Sequence, residues 1–129
     1  MKILVVEDEV YVADLICTIL EELGHSCLLA QNAGEADDLL GRRTVEGITL
    51  DLGMPGRNGM DWLRAMAATR PDLARRTLVI TGMPLEAQTR QRIEGFGAGF
   101  LAKPFTVDEL QEAFLAQVSD DDMPASAQN

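Results

Sequence analysis

Four short stretches of this sequence carry residue types that do chemistry. Glu7-Asp8-Glu9 follows the apolar run Ile3-Leu4-Val5-Val6. Asp51 closes the run that begins at Ile48, and the chain then breaks at Gly53, Pro55, Gly56 and Gly59. Thr81-Gly82 follows Thr77-Leu78-Val79-Ile80, and Lys103-Pro104 follows Phe100-Leu101-Ala102. Short apolar runs bounded by turn residues read as buried strands. Taken alone, Asp51 reads first as the start of a solvated turn, where Asp is common. Asp8 likewise has a competing use as an N-cap or a favourable first-turn charge for a following helix. The picture changes if the four run ends meet. Three carboxylates would then crowd against one hydroxyl and one ammonium, and like charges at that range repel and raise one another's pKa. A hard divalent cation relieves this, and an oxygen-rich site favours Mg²⁺. The alternative, a structural acid–lysine network, does not explain why Thr81 and Lys103 both end strands or why glycines follow closely at 53 and 82.

The elements that must position these residues alternate along the chain. Residues 3–6 form a first strand, buried on both faces as a central parallel strand is. Residues 10–23 carry apolar side chains at 12, 15, 16, 19, 20 and 23, a helical stripe. Gly24 stops that helix as a C′ glycine would. A second strand at 27–30 leads through Gln31 and Asn32 into a helix over 33–40, ended by Gly41. The third strand is 45–50. A helix over 60–69 puts Leu63 and Met66 on the core, and Pro71 prevents its continuation. The fourth strand is 77–80. The helix over 85–96 is polar, with Glu86, Gln88, Arg90, Gln91, Arg92 and Glu94, and is expected to be exposed and weakly anchored. The fifth strand is 100–102. Thr106 caps the last helix, with Glu109 completing a capping box, and that helix runs to about Val118. Five strands alternating with five helices predict an α/β doubly wound parallel sheet with helices on both faces and right-handed crossovers. In such a sheet the strand ends share one edge, where ligands bind. There is no internal repeat and no second domain. Residues 119–129, with three consecutive Asp, are expected to form a disordered acidic tail.

Composition narrows the function. The 129 residues fit one domain, and 47% apolar content supplies a core. A net charge of −10 argues against direct nucleic-acid binding and against an anionic membrane surface. It suits a cation or a basic patch on another protein. Cys17 and Cys27 sit in apolar runs and read as buried, reduced thiols. They form no Cys-x-x-Cys pair, so neither a metal nor a redox site is expected there. The first apolar run is too short for a signal peptide, and no segment reaches the length of a membrane span. A soluble cytoplasmic protein is expected.

The span from Lys2 to about Val118 resembles a bacterial two-component response-regulator receiver domain, of the chemotaxis-regulator type. The marks are Val-Val-Glu-Asp-Glu at 5–9, Leu-Asp-Leu-Gly-Met-Pro-Gly at 50–56, Gly59, Ile-Thr-Gly at 80–82 and Gly-Ala-Gly-Phe-Leu-Ala-Lys-Pro-Phe at 97–105. Each is weak alone; in this order and spacing they are specific. The resemblance implies a flavodoxin-like sheet of order 2-1-3-4-5 over residues 1–118. It places Asp51 at the phospho-acceptor position, Asp8 at a direct Mg²⁺ ligand and Glu7 at an acidic neighbour that reaches the metal through water. Asp51 and the carbonyl of Gly53 complete the metal ligands. Lys103 and Thr81 stand where the phosphoryl group is contacted, with the backbone N–H groups of Leu52 and Gly82. Phe100 stands at a switch aromatic, paired in action with Thr81. The Lys103–Pro104 peptide is commonly cis in the family.

The implied function is phosphorelay signalling. A histidine kinase or histidine phosphotransfer protein would phosphorylate Asp51, and the surface formed by the fourth helix, fifth strand and fifth helix would switch to engage a downstream protein. A homodimer through that face is compatible with the sequence. The chain would be no enzyme beyond its own Mg²⁺-dependent phosphorylation and dephosphorylation, and is expected to be a stand-alone receiver or a module of a longer regulator. Two departures stand out: the acidic pair is Glu-Asp, and positions 53 and 83 are Gly and Met. Competing readings fare worse. A degenerate scaffold module conflicts with the full set Asp8, Asp51, Thr81 and Lys103. A haloacid-dehalogenase-type phosphatase usually has an acid two residues after its nucleophile, where this chain has Gly53. A flavin site lacks a phosphate-cradling loop after the first strand, where acids stand instead.

Overall fold

The computed structural model describes residues 1–119; most of the expected acidic tail, 120–129, lies outside the described residues. Five parallel strands, β1 (Lys2–Val6), β2 (Ser26–Ala30), β3 (Gly47–Leu50), β4 (Thr77–Thr81) and β5 (Gly99–Ala102), form one sheet of order β2-β1-β3-β4-β5. The helices are α1 (Val10–Glu22), α2 (Ala33–Arg42), α3 (Gly59–Thr69), α4 (Pro71–Ala74), α5 (Ala87–Gly95) and α6 (Val107–Val118).

Strand alternation splits the core in two. Leu4, Val6, Ile48, Leu50 and Val79 face a layer built with Ala36, Trp62, Leu63, Met66, Leu73 and Ile93 from α2 to α5. Ile3, Val5, Leu78 and Ile80 face α1 and α6 through Ile16, Leu20, Leu110 and Phe114. This two-sided burial is why the inner strands read as unbroken apolar runs. Each fully buried side chain of this size stabilises the fold by about 1.5–3 kcal/mol.

Local signals explain most boundaries. Gly24 takes φ +93°, the left-handed C′ conformation that ends α1. Thr106 accepts from Glu109 N–H at 3.1 Å while Glu109 Oε1 accepts from Thr106 N–H at 2.8 Å, the expected capping box. Five expectations need correction. Gly41 does not stop α2, which runs on to Arg42 and ends where Arg43 turns extended, because Gly41 stays out of the left-handed region. Pro71 ends α3 but also begins an additional one-turn helix, α4, since its fixed φ and missing N–H suit a first helical position. Glu9, not Asp8, is the N-cap of α1, and it caps with no side-chain bond. Asp8 is therefore free of the capping role. The strand expected over 45–50 begins only at Gly47, although Val45 is buried beside it. The polar helix over 85–96 contracts to α5, whose single buried residue is Ile93.

Two polar groups sit badly in this core. Thr49 is 1% exposed and its Oγ1 has no hydrogen-bond partner. A buried hydroxyl without a partner costs about 1–3 kcal/mol. Thr49→Val keeps the shape and should stabilise the protein by about 1 kcal/mol, raising the midpoint of urea unfolding at unchanged slope. His25 is held against the Phe114 ring, 5.4 Å between centroids, with Nε2 buried and unpartnered and Nδ1 3.3 Å from the Met1 ammonium. Burial, and next the N-terminal charge, push its pKa below the usual 6.5. The unfolded chain then binds the proton more readily, so stability should fall as pH drops through about 6.5. Urea titrations at pH 7.5 and 5.5 check this: that loss should shrink in His25→Phe.

Candidate functional site

The carboxyl ends of β1, β3, β4 and β5 come together as the topology requires. Glu7 follows β1, Asp51 follows β3, Thr81 ends β4 and Lys103 follows β5. Ladder hydrogen bonds hold the two acids in place beyond the strands: Glu7 N–H donates to Ala30 O at 2.9 Å and Asp51 N–H to Val6 O at 3.0 Å. Lys103 N–H donates to Thr81 O at 2.9 Å, fixing the lysine beside the threonine. The Lys103–Pro104 peptide is cis, as the resemblance implies.

Lys103 is the hub. Its Nζ lies 2.8 Å from Glu7 Oε1, 3.3 Å from Asp51 Oδ2 and 3.8 Å from Glu9 Oε1. Glu7 is almost fully buried, at 1% exposed, and its second oxygen accepts from Glu9 N–H at 3.2 Å. Burial raises the Glu7 carboxyl above its ordinary range, the hydrogen bond from Lys103 opposes this, and the Asp51 charge adds to the rise. For Lys103, burial alone would pull the ammonium down, but the hydrogen bond to Glu7 and the charges of Asp51 and Glu7 outweigh it and hold it protonated. Glu7, Asp8 and Asp51 can each offer an oxygen, all within 4.8 Å of one another. Asp8 is half exposed, and its carboxylate accepts no hydrogen bond from the described residues. Three acids against one ammonium leave a formal excess of two negative charges. This all-oxygen donor set fits a hard divalent cation.

The residues open onto a cavity of about 310 Å³ lined by Asp8, Glu9, Asp51, Gly53, Thr81, Gly82, Met83 and Lys103. A wider hollow of about 480 Å³, lined by Arg64, Pro71, Arg75 and Phe96 among others, lies toward the opposite sheet edge and holds no acid. At the acidic site, Thr81 Oγ1 accepts from Met83 N–H at 3.2 Å, and Asp51 Oδ1 accepts from Gly53 N–H at 3.1 Å. The N–H groups of Leu52 and Gly82 have no acceptor among the described residues. The Leu52 side chain is buried in the core, so its backbone is anchored. Val79 and Thr81 alternate onto the sheet face that carries Phe100 of the adjacent strand, where Phe100 is half-buried. The Arg90 guanidinium of α5 lies 5.4 Å from the Phe100 ring centroid.

The glycines of the site differ in the space around them. A Cβ at Gly82 would make ordinary contact with Lys103 Cβ at 3.7 Å. A Cβ at Gly53 would meet Met83 Sδ at 3.4 Å, placing the half-exposed Met83 over the same corner. At Gly59, by contrast, an added Cβ would run into the backbone of Leu52.

Sequence reasoning missed how the loop after Asp51 is held. Arg57 donates to Asp37 Oδ2 at 2.9 Å, and the buried Trp62 indole donates to Asp37 Oδ1 at 2.8 Å. One carboxylate of α2 thus ties the loop to α3. Asn58 caps α3 by accepting from Met60 N–H at 2.7 Å. Asn58 is a residue type that favours the N-cap position, a local signal for this cap; nothing local signals Asp37, which is 20 residues from Arg57.

Comparison with known proteins agrees with this arrangement. The family model described as response regulator receiver domain matches residues 3–115. The response regulator MprA of Mycobacterium sp. (strain KMS) is 33% identical over 98% of this chain and 55% of its own length. The chain thus spans about half the length of the curated relatives it matches. Among solved structures, a Burkholderia pseudomallei response regulator, described with a phosphorylated aspartic acid, a calcium ion and citrate, superposes with a TM-score of 0.77 at 29% identity, covering 99% of this chain and 74% of that one. The beryllofluoride-activated NtrC4 receiver domain dimer superposes with a TM-score of 0.82 at 28% identity, covering 92% and 97%. The sheet order, the acids at its carboxyl edge and a match spanning nearly all the described residues point the same way, and the chain belongs to the response regulator receiver domain family.

Proposed function

We propose that this chain is a phosphorelay receiver that takes a phosphoryl group onto Asp51 from a histidine kinase or a histidine phosphotransfer protein, in a Mg²⁺-dependent step. The observation that carries the reading is the cluster of Glu7, Asp8 and Asp51, mutually within 4.8 Å, with Lys103 bound across it. An Asp51 carboxylate oxygen forms the new bond to phosphorus as the phosphorus–nitrogen bond of a phosphohistidine donor breaks. The imidazole leaves with the electron pair. Phosphoryl transfer asks the protein for positioning and charge neutralisation more than for covalent chemistry. Asp8, Asp51, the Gly53 carbonyl and, through water, Glu7 would hold the cation, whose contribution when bound is to neutralise the oxygens of the transferring group. Lys103 supplies a second, compact positive charge. The Thr81 hydroxyl, which accepts from Met83 N–H, keeps its own proton to donate. The unpaired N–H groups of Leu52 and Gly82 suit the remaining oxygens.

Phosphorylation adds charge and acceptor oxygens at Asp51. Thr81 moves toward them and Phe100 turns inward, which re-forms the face of α5, β5 and α6 for a downstream protein or a second copy. The sparse anchoring of α5, with Ile93 its one buried residue, suits a mobile element. The protein acts in the cytoplasm, with the receiver over 1–118 working alone or within a longer regulator, and its net charge leaves nucleic acid to other domains. Among the described residues no helix is long and apolar enough to cross a membrane. The phosphorylated aspartic acid and the calcium ion of the Burkholderia relative support the acceptor and metal roles.

Incubation with Mg²⁺ and acetyl phosphate, followed by intact mass measurement, tests the reading. One phosphoryl group should add to the wild type, and none to Asp51→Asn or to metal-free protein. Absence of an adduct, repeated with a phosphohistidine donor and with no beryllofluoride binding, overturns it.

A further inference from the structure

The two cysteines, separate in the sequence, meet in the fold. Cys17 lies on the inner face of α1 and Cys27 on the edge strand β2, and both pack in the same apolar layer. Cys27 Sγ sits 4.0 Å from the carbonyl oxygen of Cys17. Both are free thiols, Cys17 buried and Cys27 half-buried. The sequence has no Cys-x-x-Cys spacing, so no redox pair is expected from it; the crossover from α1 to β2 brings the two cysteines together. From this geometry we propose that Cys17 and Cys27 are an intramolecular dithiol that a peroxide oxidises to a disulfide, stapling α1 to β2.

The two sulfurs are unequal, which sets the order of events. In the thiol form Cys27 Sγ–H donates to the Cys17 carbonyl oxygen; the Cys17 side chain beside it and, less strongly, the Lys2 charge favour the thiolate at Cys27 over burial and the Glu21 charge, so the Cys27 pKa falls below its usual value. The neighbouring Cys27 side chain, then burial and the charges of Cys27, Glu21 and Asp14, push the Cys17 thiol up. The attacking group is the thiolate, and it forms more readily on Cys27, the more accessible of the two sulfurs. Cys27 sulfur forms a bond to one peroxide oxygen, the O–O bond breaks, and hydroxide leaves to become water, giving Cys27 sulfenic acid. Cys17 sulfur then attacks Cys27 sulfur, the S–O bond breaks, and the departing hydroxide takes the Cys17 proton as a second water. Two thiols lose two electrons, and one peroxide is reduced to two waters.

The staple would flank the acidic site. Ala30, the last residue of β2, accepts the Glu7 backbone N–H at 2.9 Å, and α1 begins directly after Glu9. The inference stands on the thiol pair and does not depend on the phosphorelay reading.

The test treats native full-length protein with stoichiometric hydrogen peroxide, alkylates it in denaturant, and reads intact and peptide masses. The wild type should lose two hydrogens, about 2 Da, and resist alkylation at both cysteines until a dithiol reductant is added, while remaining a monomer on a non-reducing gel. In Cys17→Ala, Cys27 should stop at sulfenic acid, trapped as a dimedone adduct. In Cys27→Ala, Cys17 should stay reduced. Wild-type protein that alkylates fully after peroxide, that carries the dimedone adduct without a cross-link, or that forms only intermolecular disulfides would overturn the proposal.

Discussion

Replacing Lys103 with methionine should destabilise the metal-free protein by about 3–5 kcal/mol, the range for removing one partner of a buried ion pair. A single domain is stable by only about 5–15 kcal/mol in total, so this is a large share. The reason is Glu7. Its carboxylate is 1% exposed and takes its shortest hydrogen bond, 2.8 Å, from Lys103. Without the ammonium, Glu7 and Asp51 face one another with only the Glu9 and Gly53 N–H groups in compensation. The pH dependence has a defined sign. Lys103 has a folded pKa above its usual 10.5, so its contribution is complete below 10.5 and is lost as pH rises through the folded value. The wild type should therefore lose stability on the alkaline side by a component that Lys103→Met lacks. Divalent cations give a second reading. The variant has a larger excess of negative charge at Asp8 and Asp51, so Mg²⁺ should raise its Tm more than it raises that of the wild type. Phosphorylation of the variant by acetyl phosphate should slow about 10²-fold or more, the scale for losing one charged group that stabilises the transferring oxygens. Equal melting of the two proteins in metal-free buffer would show that Lys103 is not the counter-charge of Glu7.

The second large effect concerns a glycine. At Gly59 an added Cβ would lie 2.7 Å from Leu52 Cα and 3.0 Å from Leu52 O, which are backbone atoms with no rotamer to move aside. Leu52 follows Asp51 directly, so the start of α3 would have to retreat from the loop that carries the Asp51 carboxylate. Gly59→Ala should cost about 1–3 kcal/mol, as overpacking does. It should also impair phosphorylation of molecules that remain folded, because an ångström of misplacement at a reacting group is costly. Gly41→Ala is the matched control. Gly41 lies within α2 and nothing stands within 4 Å of its added Cβ. There the same substitution should stabilise by about 0.5–1 kcal/mol through helix propensity and reduced unfolded-state entropy. Chemical denaturation of the three proteins checks the sign of each change. If both substitutions moved stability the same way, steric conflict with Leu52 would not be what requires glycine at 59.

The elements were legible wherever one local signal decided them. Short continuous apolar runs marked all five strands, Gly24 marked the end of α1, and the Thr106–Glu109 box marked the start of α6. Boundaries failed where a residue had two local uses. Gly41 can end a helix or sit within one, and Pro71 forbids one helix while suiting the first turn of the next. Leu85 lies outside α5 yet packs on the core, so apolar character there marked contact and not helix.

For this protein the sequence by itself determined the fold class, the sheet edge at which the acids gather, and the identity of Glu7, Asp8, Asp51, Thr81 and Lys103. These follow from periodicity and from the order of strand ends, both properties of contiguous residues. Only the tertiary structure decided which acid holds Lys103, that Asp37 ties the Asp51 loop to α3, that Gly59 and not Gly82 is sterically fixed, and that Cys17 meets Cys27. Each of these is a contact between side chains or backbones far apart in the chain. No local propensity encodes such a contact, because it exists only once crossovers have brought separate elements within a few ångströms.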